Sequence, residues 1–124
     1  RAAERDYFRR TGIFPIMHAV AMRTDLIDAH PWLPKAVFDA YSQAKQQRYQ
    51  AMRQEWLLGT LPWYGQELDE TRALMGDNFW PDGVGANTTT LNTLFQYSYE
   101  QGLTKERLTV DKLFHPTTLQ LTES

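Results

Sequence analysis

His18 is the residue of this sequence best suited to move a proton, because an imidazole exchanges protons near neutral pH. It lies inside an apolar run over residues 13–23. A histidine in that setting is either an acid or base of a reaction or a core side chain hydrogen-bonded to the backbone. His30 and His115 each precede a proline, which is typical of turns and caps. The three histidines lack the spacing of metal ligands, so no metal site is predicted.

Three other residues could contact a ligand, and each has a structural alternative. Arg23 could bind a carboxylate or pair with Asp25, two positions away. Trp80 could wall a ring-binding pocket or act as a packing anchor. Asn87 could cap a helix, and the N-terminus of that helix could hold an anionic group. No serine has a base paired with it nearby, so no hydrolase triad is predicted.

Length and composition limit the classes of protein that these residues can serve. The chain has 124 residues, of which 42% are hydrophobic and 23% are charged, and these values are typical of one globular domain. A formal net charge of -2 argues against a basic surface for nucleic acid. The lack of cysteine excludes disulfides, thiolate nucleophiles and cysteine-based metal sites. No apolar stretch reaches the roughly 18 residues that indicate a transmembrane helix.

One strand and several helices are predicted to position the candidate residues. Residues 13–23 have the length and the β-branched, aromatic start of a buried strand. The helices are predicted over residues 1–10, 26–29, 34–56, 66–75, 89–101 and 110–114. A strand that is apolar on both faces needs partner strands, and residues 118–122 are at best a weak one. We therefore expect the chain to be the interior of a longer one, in keeping with its first residue, Arg1.

For two of these helices the spacing of apolar residues predicts which face is buried. For residues 34–56 the predicted inner stripe is Val37, Tyr41, Ala44, Arg48, Met52 and Trp56. Lys45 lies off that stripe. For residues 89–101 the predicted inner face is Leu91, Leu94, Phe95 and Ser98. The four arginines of residues 1–10 indicate a solvated helix face more than a phosphate-binding patch.

Three segments carry a resemblance to a known family. They are Thr11–His18, which reads TGIFPIMH, Met75–Gly83, which reads MGDNFWPDG, and Tyr97–Leu103, which reads YSYEQGL. In this order, and over residues 7–119, the chain resembles the C-terminal third of the 4,5-dihydroxyphthalate decarboxylases.

That resemblance implies an α/β fold, similar to the type II periplasmic solute-binding proteins, in which two lobes enclose a ligand cleft. This chain would be a C-terminal fragment of such a fold, mostly helical, with one principal buried strand. Residues 1–10 would end a helix of the second lobe, and residues 11–23 would be a strand that crosses between the lobes. Residues 24–124 would form the helical C-terminal part of the first lobe.

The resemblance also implies a carbon–carbon lyase that removes CO2 from an aromatic dicarboxylic acid such as 4,5-dihydroxyphthalate. His18 is the expected catalytic residue, and Thr11, Gly12, Phe14 and Trp80 are the expected substrate-binding residues. An acid must protonate the ring carbon that loses CO2, and an apolar wall weakens solvation of the departing carboxylate. No cofactor and no metal are expected.

The expected partners are a small aromatic carboxylate and the remainder of the same polypeptide, with no nucleic acid and no membrane insertion, and a homo-oligomer is left open. The alternative function is that of a solute-binding protein of an ABC importer, which binds a small organic anion without chemistry, because fold alone does not separate the two. The expected location is cytoplasmic for the enzyme and periplasmic for the binding protein.

Overall fold

The computed structural model describes residues 1–54 and 61–123, and within them the regular structure is helical. The α-helices are α1 Ala2–Thr11, α2 Thr24–Ala29, α3 Leu33–Gln54, α4 Tyr64–Met75, α5 Thr88–Glu100 and α6 Val110–Leu113. Single 3₁₀ turns occur at Gly85–Asn87 and Pro116–Thr118. None of the described helices combines the length and the apolar character that a membrane crossing requires.

The prediction of an α/β fold with a buried strand is wrong for the described residues. Residues 12–23 follow α1 as an irregular segment, and the backbone of residues 14–22 forms no hydrogen bond with the described part of the chain. Most of its apolar side chains are exposed, with Met17 at 64% and Val20 at 60%. Residues 118–122 form a turn and supply no partner strand. Apolar, β-branched residues favour a strand only when a second segment pairs with their backbone.

The segment 12–23 begins where α1 ends, at Gly12. This glycine adopts a left-handed conformation with φ 66°, and its N–H donates to a carbonyl in the last turn of the helix. Arg1, which precedes α1, and Arg5 within it form ion pairs with Glu67 and Glu70 of α4. The arginines at the start of the chain therefore join two helices, in addition to facing solvent.

The apolar core of the described residues is small, and its fully buried members belong to α2 and α5. Ile27 of α2 is buried, together with Leu91 and Phe95 of α5. This confirms two residues of the predicted inner face of α5. Leu94 is exposed, so its place on that face was predicted wrongly. Leu94 directly precedes Phe95, and consecutive residues lie about 100° apart around a helix, so Leu94 falls at the edge of the buried face although it follows Leu91 by three positions.

The inward side of α3 differs from its predicted stripe. Tyr41 is 62% exposed, and Ser42 beside it is buried. The side chain of Lys45, predicted to lie off the stripe, is only 15% exposed. The end of the helix at Trp56 falls outside the described residues. Polar contacts from a loop and from the last described residues draw Lys45 inward, and a count of apolar residues does not detect them.

Candidate functional site

The first predicted site residues, Thr11 and Gly12, shape the turn that leads out of α1. The Thr11 hydroxyl donates to the carbonyl of Tyr7 at 2.8 Å and accepts from the N–H of Ile13 at 3.1 Å. Both hydrogen-bonding functions of this hydroxyl are therefore used within the chain itself. In this structure, Thr11 and Gly12 set the direction of residues 13–23, with the Thr11 hydroxyl occupied by local bonds.

The structure brings together two of the predicted site residues, Phe14 and Trp80. Their rings meet edge to face, with centroids 5.1 Å apart and an interplanar angle of 90°. This geometry places the positive ring edge against the negative ring face and is attractive. Both side chains are also exposed. The pair therefore forms an accessible apolar surface where residues 12–23 meet the loop 76–84.

The main chain of Trp80 is held on both sides by α3. The N–H of Trp80 donates to the hydroxyl oxygen of Tyr49 at 3.0 Å, and Lys45 Nζ donates to the Trp80 carbonyl. Residues four apart lie on one face of a helix, so both groups reach the same peptide segment. The Tyr49 ring also packs on Phe79, with centroids 4.6 Å apart. Two contacts from one helix thus fix the start of the Trp80 side chain.

Lys45 is also the cation of a small charged cluster. Its Nζ lies 2.9 Å from Asp82 Oδ2 and forms a second ion pair with Glu123. Glu123, whose side chain is 14% exposed, also accepts a hydrogen bond from the amide of Asn78. The cluster therefore links α3 to both the loop 76–84 and the last described residues of the chain.

The pKa values of this cluster follow from burial and pairing. Burial alone would lower the pKa of the Lys45 ammonium, but hydrogen bonds to Glu123 and Asp82 raise it above its usual value. Burial alone would raise the pKa of the Glu123 carboxyl, but hydrogen bonds from Lys45 and Asn78 hold it below its usual value. Lys45 and Glu123 therefore both stay charged at neutral pH.

Asn87 and Gly83 hold the loop 76–84 from its other end. The amide of Asn87 donates to the carbonyls of Pro81 at 2.7 Å and Gly83 at 2.9 Å. Asn87 occupies the N-cap position of α5, as predicted, but its side chain makes no capping hydrogen bond to that helix. Gly83 has φ 98°, and a Cβ at this position would lie 2.6 Å from the carbonyl oxygen of Leu121. Only glycine allows the two chain segments to come so close.

His18 lies on the same irregular segment as Phe14. Its side chain is exposed and forms no hydrogen bond with the described residues, so the buried-core alternative does not fit this structure. The four-residue separation limits its distance from Phe14 to about 14 Å between Cα atoms. An exposed imidazole can exchange protons with solvent and with a bound molecule.

The remaining candidates have structural partners. Arg23 donates from Nε to Asp25 Oδ1 at 3.0 Å, which confirms the pairing alternative. The same pairing holds the pKa of the Asp25 carboxyl below its usual range. His115 accepts from the N–H of Thr117 at the start of a 3₁₀ turn, and His30 ends α2. Among residues 1–54 and 61–123, no group of three or more potential ligands could hold a metal ion.

Sequence reasoning missed Lys45, Tyr49, Asp82 and Glu123. The pattern of α3 assigned Lys45 to the solvent side and gave Tyr49 no role. One signal in the sequence could have indicated the cluster: a lysine and a tyrosine four positions apart, and so on one face, within the longest predicted helix.

Comparison with known proteins shows which enzyme the chain is similar to. No protein-family model matches the chain. The chain is 32% identical over 119 residues to the 4,5-dihydroxyphthalate decarboxylase of Comamonas testosteroni. The expected relationship to the 4,5-dihydroxyphthalate decarboxylases is confirmed. The match covers 95% of this chain and 36% of that decarboxylase, so the chain spans about a third of its length.

The decarboxylase match includes the aromatic pair and the predicted catalytic histidine. A stretch of 119 residues within this chain contains both the segment 12–23 and the loop 76–84. The Phe14–Trp80 pair and His18 therefore lie within the part of the chain that resembles the decarboxylase. The charged cluster around Lys45 lies beside them.

Proposed function

We propose that this chain takes part in the decarboxylation of an aromatic dicarboxylic acid of the 4,5-dihydroxyphthalate type. The observation that carries the proposal is its 32% identity over 119 residues with a decarboxylase of that name. Because the match spans 36% of that enzyme, the proposal assigns to this chain one proton donor and one apolar wall of a substrate site.

The chemistry of the substrate defines what such a site must do. In 4,5-dihydroxyphthalate each carboxylate is para to a hydroxyl, and ionising that hydroxyl raises the electron density at the carbon that carries the carboxylate. A general acid protonates this carbon. The bond from the carbon to the carboxylate then breaks, its electron pair restores the aromatic ring, and CO2 leaves. One proton is taken up for each CO2 released.

His18 is the proposed general acid. Its imidazolium form donates a proton to the ring carbon and becomes neutral, and water returns the proton between turnovers. The exposure of the side chain supports this role, because an imidazole that cycles between two protonation states needs access to solvent.

Phe14 and Trp80 are the proposed apolar wall. Their edge-to-face pair presents accessible aromatic surface, on which a substrate ring can stack. A carboxylate placed against such a surface loses part of its hydration, and this favours the uncharged product CO2 over the bound anion. The pair therefore supports both the binding of an aromatic acid and the loss of its carboxylate.

The test is CO2 release from 4,5-dihydroxyphthalate by the full-length protein, with His18→Ala and His30→Ala compared as matched variants. We expect His18→Ala to lower kcat/KM by about a hundredfold or more, which is typical for the loss of a general acid. His30→Ala, at the end of α2, should keep the activity of the unchanged protein. Absence of CO2 release, with the aromatic acid bound and recovered unchanged, would instead favour the solute-binding alternative.

A further inference from the structure

The peptide groups around Trp80 are bound by side chains of a helix that has no part in the proposed chemistry. Tyr49 accepts from the N–H of Trp80, and Lys45 donates to its carbonyl. The backbone N, Cα and C atoms of a residue set the direction of its Cα–Cβ bond, and the χ1 and χ2 rotamer then sets where the ring points. Holding both the N–H and the carbonyl of Trp80 therefore fixes the point from which the indole extends, and the contact with Phe14 limits its rotamer.

Lys45 is itself held in one place by charge. Asp82 lies two residues beyond Trp80 and Glu123 lies at the far end of the described chain, and both pair with the Lys45 ammonium. Because the Lys45 side chain is only 15% exposed, these ion pairs are weakened by solvent much less than surface pairs. An ammonium with three such acceptors has little freedom to move away from the Trp80 carbonyl.

The indole of Trp80 contacts Phe14, the other member of the proposed apolar wall. The two rings meet edge to face at a centroid distance of 5.1 Å. Phe14 belongs to residues 14–22, whose backbone forms no hydrogen bond with the described part of the chain. The more firmly held member of the aromatic pair is therefore Trp80, and it is held through Lys45 and Tyr49.

We infer that Lys45 and Tyr49 are positioning residues that fix the Trp80 indole as the substrate-facing wall, so that they govern the affinity for the aromatic acid. This inference rests on the proposed function for its substrate, and on the contacts of α3 for its geometry. Neither residue touches the reacting carbon. Their loss should therefore raise KM and leave the chemical step nearly unchanged.

The first measurement follows the indole itself and needs no activity. The full-length protein is labelled with 5-fluorotryptophan, and the ¹⁹F signal of residue 80 is assigned with a Trp80→Phe variant. Tyr49→Phe removes the accepting hydroxyl but keeps the ring that packs on Phe79. Tyr41→Phe makes the same chemical change on the exposed side of α3. We expect the residue 80 signal to shift or broaden in Tyr49→Phe and to stay unchanged in Tyr41→Phe.

The second measurement is the steady-state kinetics of 4,5-dihydroxyphthalate decarboxylation. Lys45→Met and Tyr49→Phe should each raise KM by about threefold to tenfold, the usual worth of one hydrogen bond, with kcat changed by less than about twofold. Lys35→Met is the control, because Lys35 pairs with Asp39 on the exposed side of the same helix. It should leave both parameters unchanged.

The two measurements separate the possible failures. An unchanged ¹⁹F signal in folded Tyr49→Phe would overturn the positioning role, whatever the activity. A shifted signal with unchanged KM would show that the indole is positioned by α3 but does not bind the substrate, and would overturn the inference about affinity. If the unchanged protein releases no CO2, the proposed function fails, and so does the inference about substrate affinity, while the ¹⁹F result still decides the geometry. Tyr49→Phe keeps this test decisive even if Lys45→Met does not fold.

Discussion

Phe14 and Trp80 meet edge to face at a centroid distance of 5.1 Å, although one lies near the start of the chain and the other in the loop after α4. This contact joins an irregular apolar segment to a loop that is itself anchored on α3. The contact therefore attaches the segment 12–23, which has few hydrogen bonds, to the loop 76–84, which α3 holds in place. Four predictions test this arrangement and the features that surround it.

The aromatic contact should be measurable as a coupling energy. We expect the double-mutant cycle of Phe14→Ala and Trp80→Ala to give about 1 kcal/mol in the free energy of unfolding, which is typical of aromatic pairs. Denaturant unfolding measures the four free energies. The cycle of Phe14→Ala with Trp63→Ala, an exposed tryptophan, is the control and should give a value near zero. Equal couplings in the two cycles would contradict a specific contact.

The charged cluster should make stability depend on acid pH through Glu123. Its pKa in the folded chain is lowered, against the effect of burial, by hydrogen bonds from Lys45 and Asn78. A carboxyl with a lowered folded-state pKa stabilises the fold above its ordinary value near 4.3, and this contribution is lost as the pH falls through the folded-state pKa. Glu123→Gln should therefore cost roughly 1 to 2 kcal/mol at pH 7, and progressively less as the pH falls below the ordinary value and through the lowered folded-state pKa.

The measurement is the free energy of unfolding between pH 3 and pH 7 for the unchanged protein and for Glu123→Gln. Glu106→Gln is the matched control, since Glu106 forms an exposed ion pair with Lys112. Such surface pairs contribute little at any pH. A difference between the unchanged protein and Glu123→Gln that stays constant across this range would contradict the pairing with Lys45.

Gly83 should be far less tolerant of a side chain than another glycine with positive φ. Gly83→Ala places a methyl group 2.6 Å from the Leu121 carbonyl oxygen, in addition to the strain of φ 98°. We expect a loss of roughly 2 to 4 kcal/mol, combining strain and overpacking. Gly102→Ala has open space and φ 72°, so only the strain of roughly 1 kcal/mol applies. Thermal unfolding measures the loss of stability in each variant. Equal losses would show that the chain shifts to relieve the contact with the Leu121 carbonyl oxygen.

Asn87→Asp tests whether this residue holds the loop or caps a helix. The structure uses its amide as a donor to the carbonyls of Pro81 and Gly83, and a carboxylate at that position would face two acceptors with no hydrogen to donate. We expect a loss of roughly 2 kcal/mol. A capping residue would tolerate this change, because aspartate caps as well as asparagine. Asn92→Asp on the exposed side of α5 should change unfolding by less than about 0.5 kcal/mol.

The helices of this chain are well encoded locally, and their ends show why. Gly12 follows α1 and Gly76 follows α4, as the sequence indicates, because a glycine that accepts positive φ ends a helix through local bonds alone. Such signals involve neighbouring residues only. The existence and approximate limits of most described helices could therefore be predicted from the sequence.

The prediction of a strand was wrong because a strand depends on a second segment that pairs with it. Residues 13–23 have the composition of a strand, but a strand requires a second segment at the right register, and no described residue provides one. The prediction of the inner side of α3 was wrong for a similar reason, since that side also depends on distant residues. Lys45 turns inward because Asp82 and Glu123 meet it there, and the periodicity of α3 contains no information about those distant carboxylates.

For the candidate site, the sequence named two aromatic residues that the structure places in contact, but not the residues that hold them. The resemblance to the decarboxylases named both Phe14 and Trp80, and the structure finds them in contact. The assignment of His18 as the catalytic residue stays a prediction. The residues that hold Trp80 carry no motif, because a side chain that binds a main-chain carbonyl or N–H can do so from any helix that happens to pass nearby.

The anchoring of the loop 76–84 also bears on the order in which the chain folds. Its shape depends on Lys45 and Tyr49 on one side, Asn87 on another, and Leu121 and Glu123 at the end of the described chain. Several of these contacts join residues that are far apart in sequence. Bringing such residues together costs conformational entropy before the contact can stabilise the fold. The helices need no such closure. The loop that carries Trp80 is therefore expected to be among the last described segments to become ordered during refolding, and among the first to open.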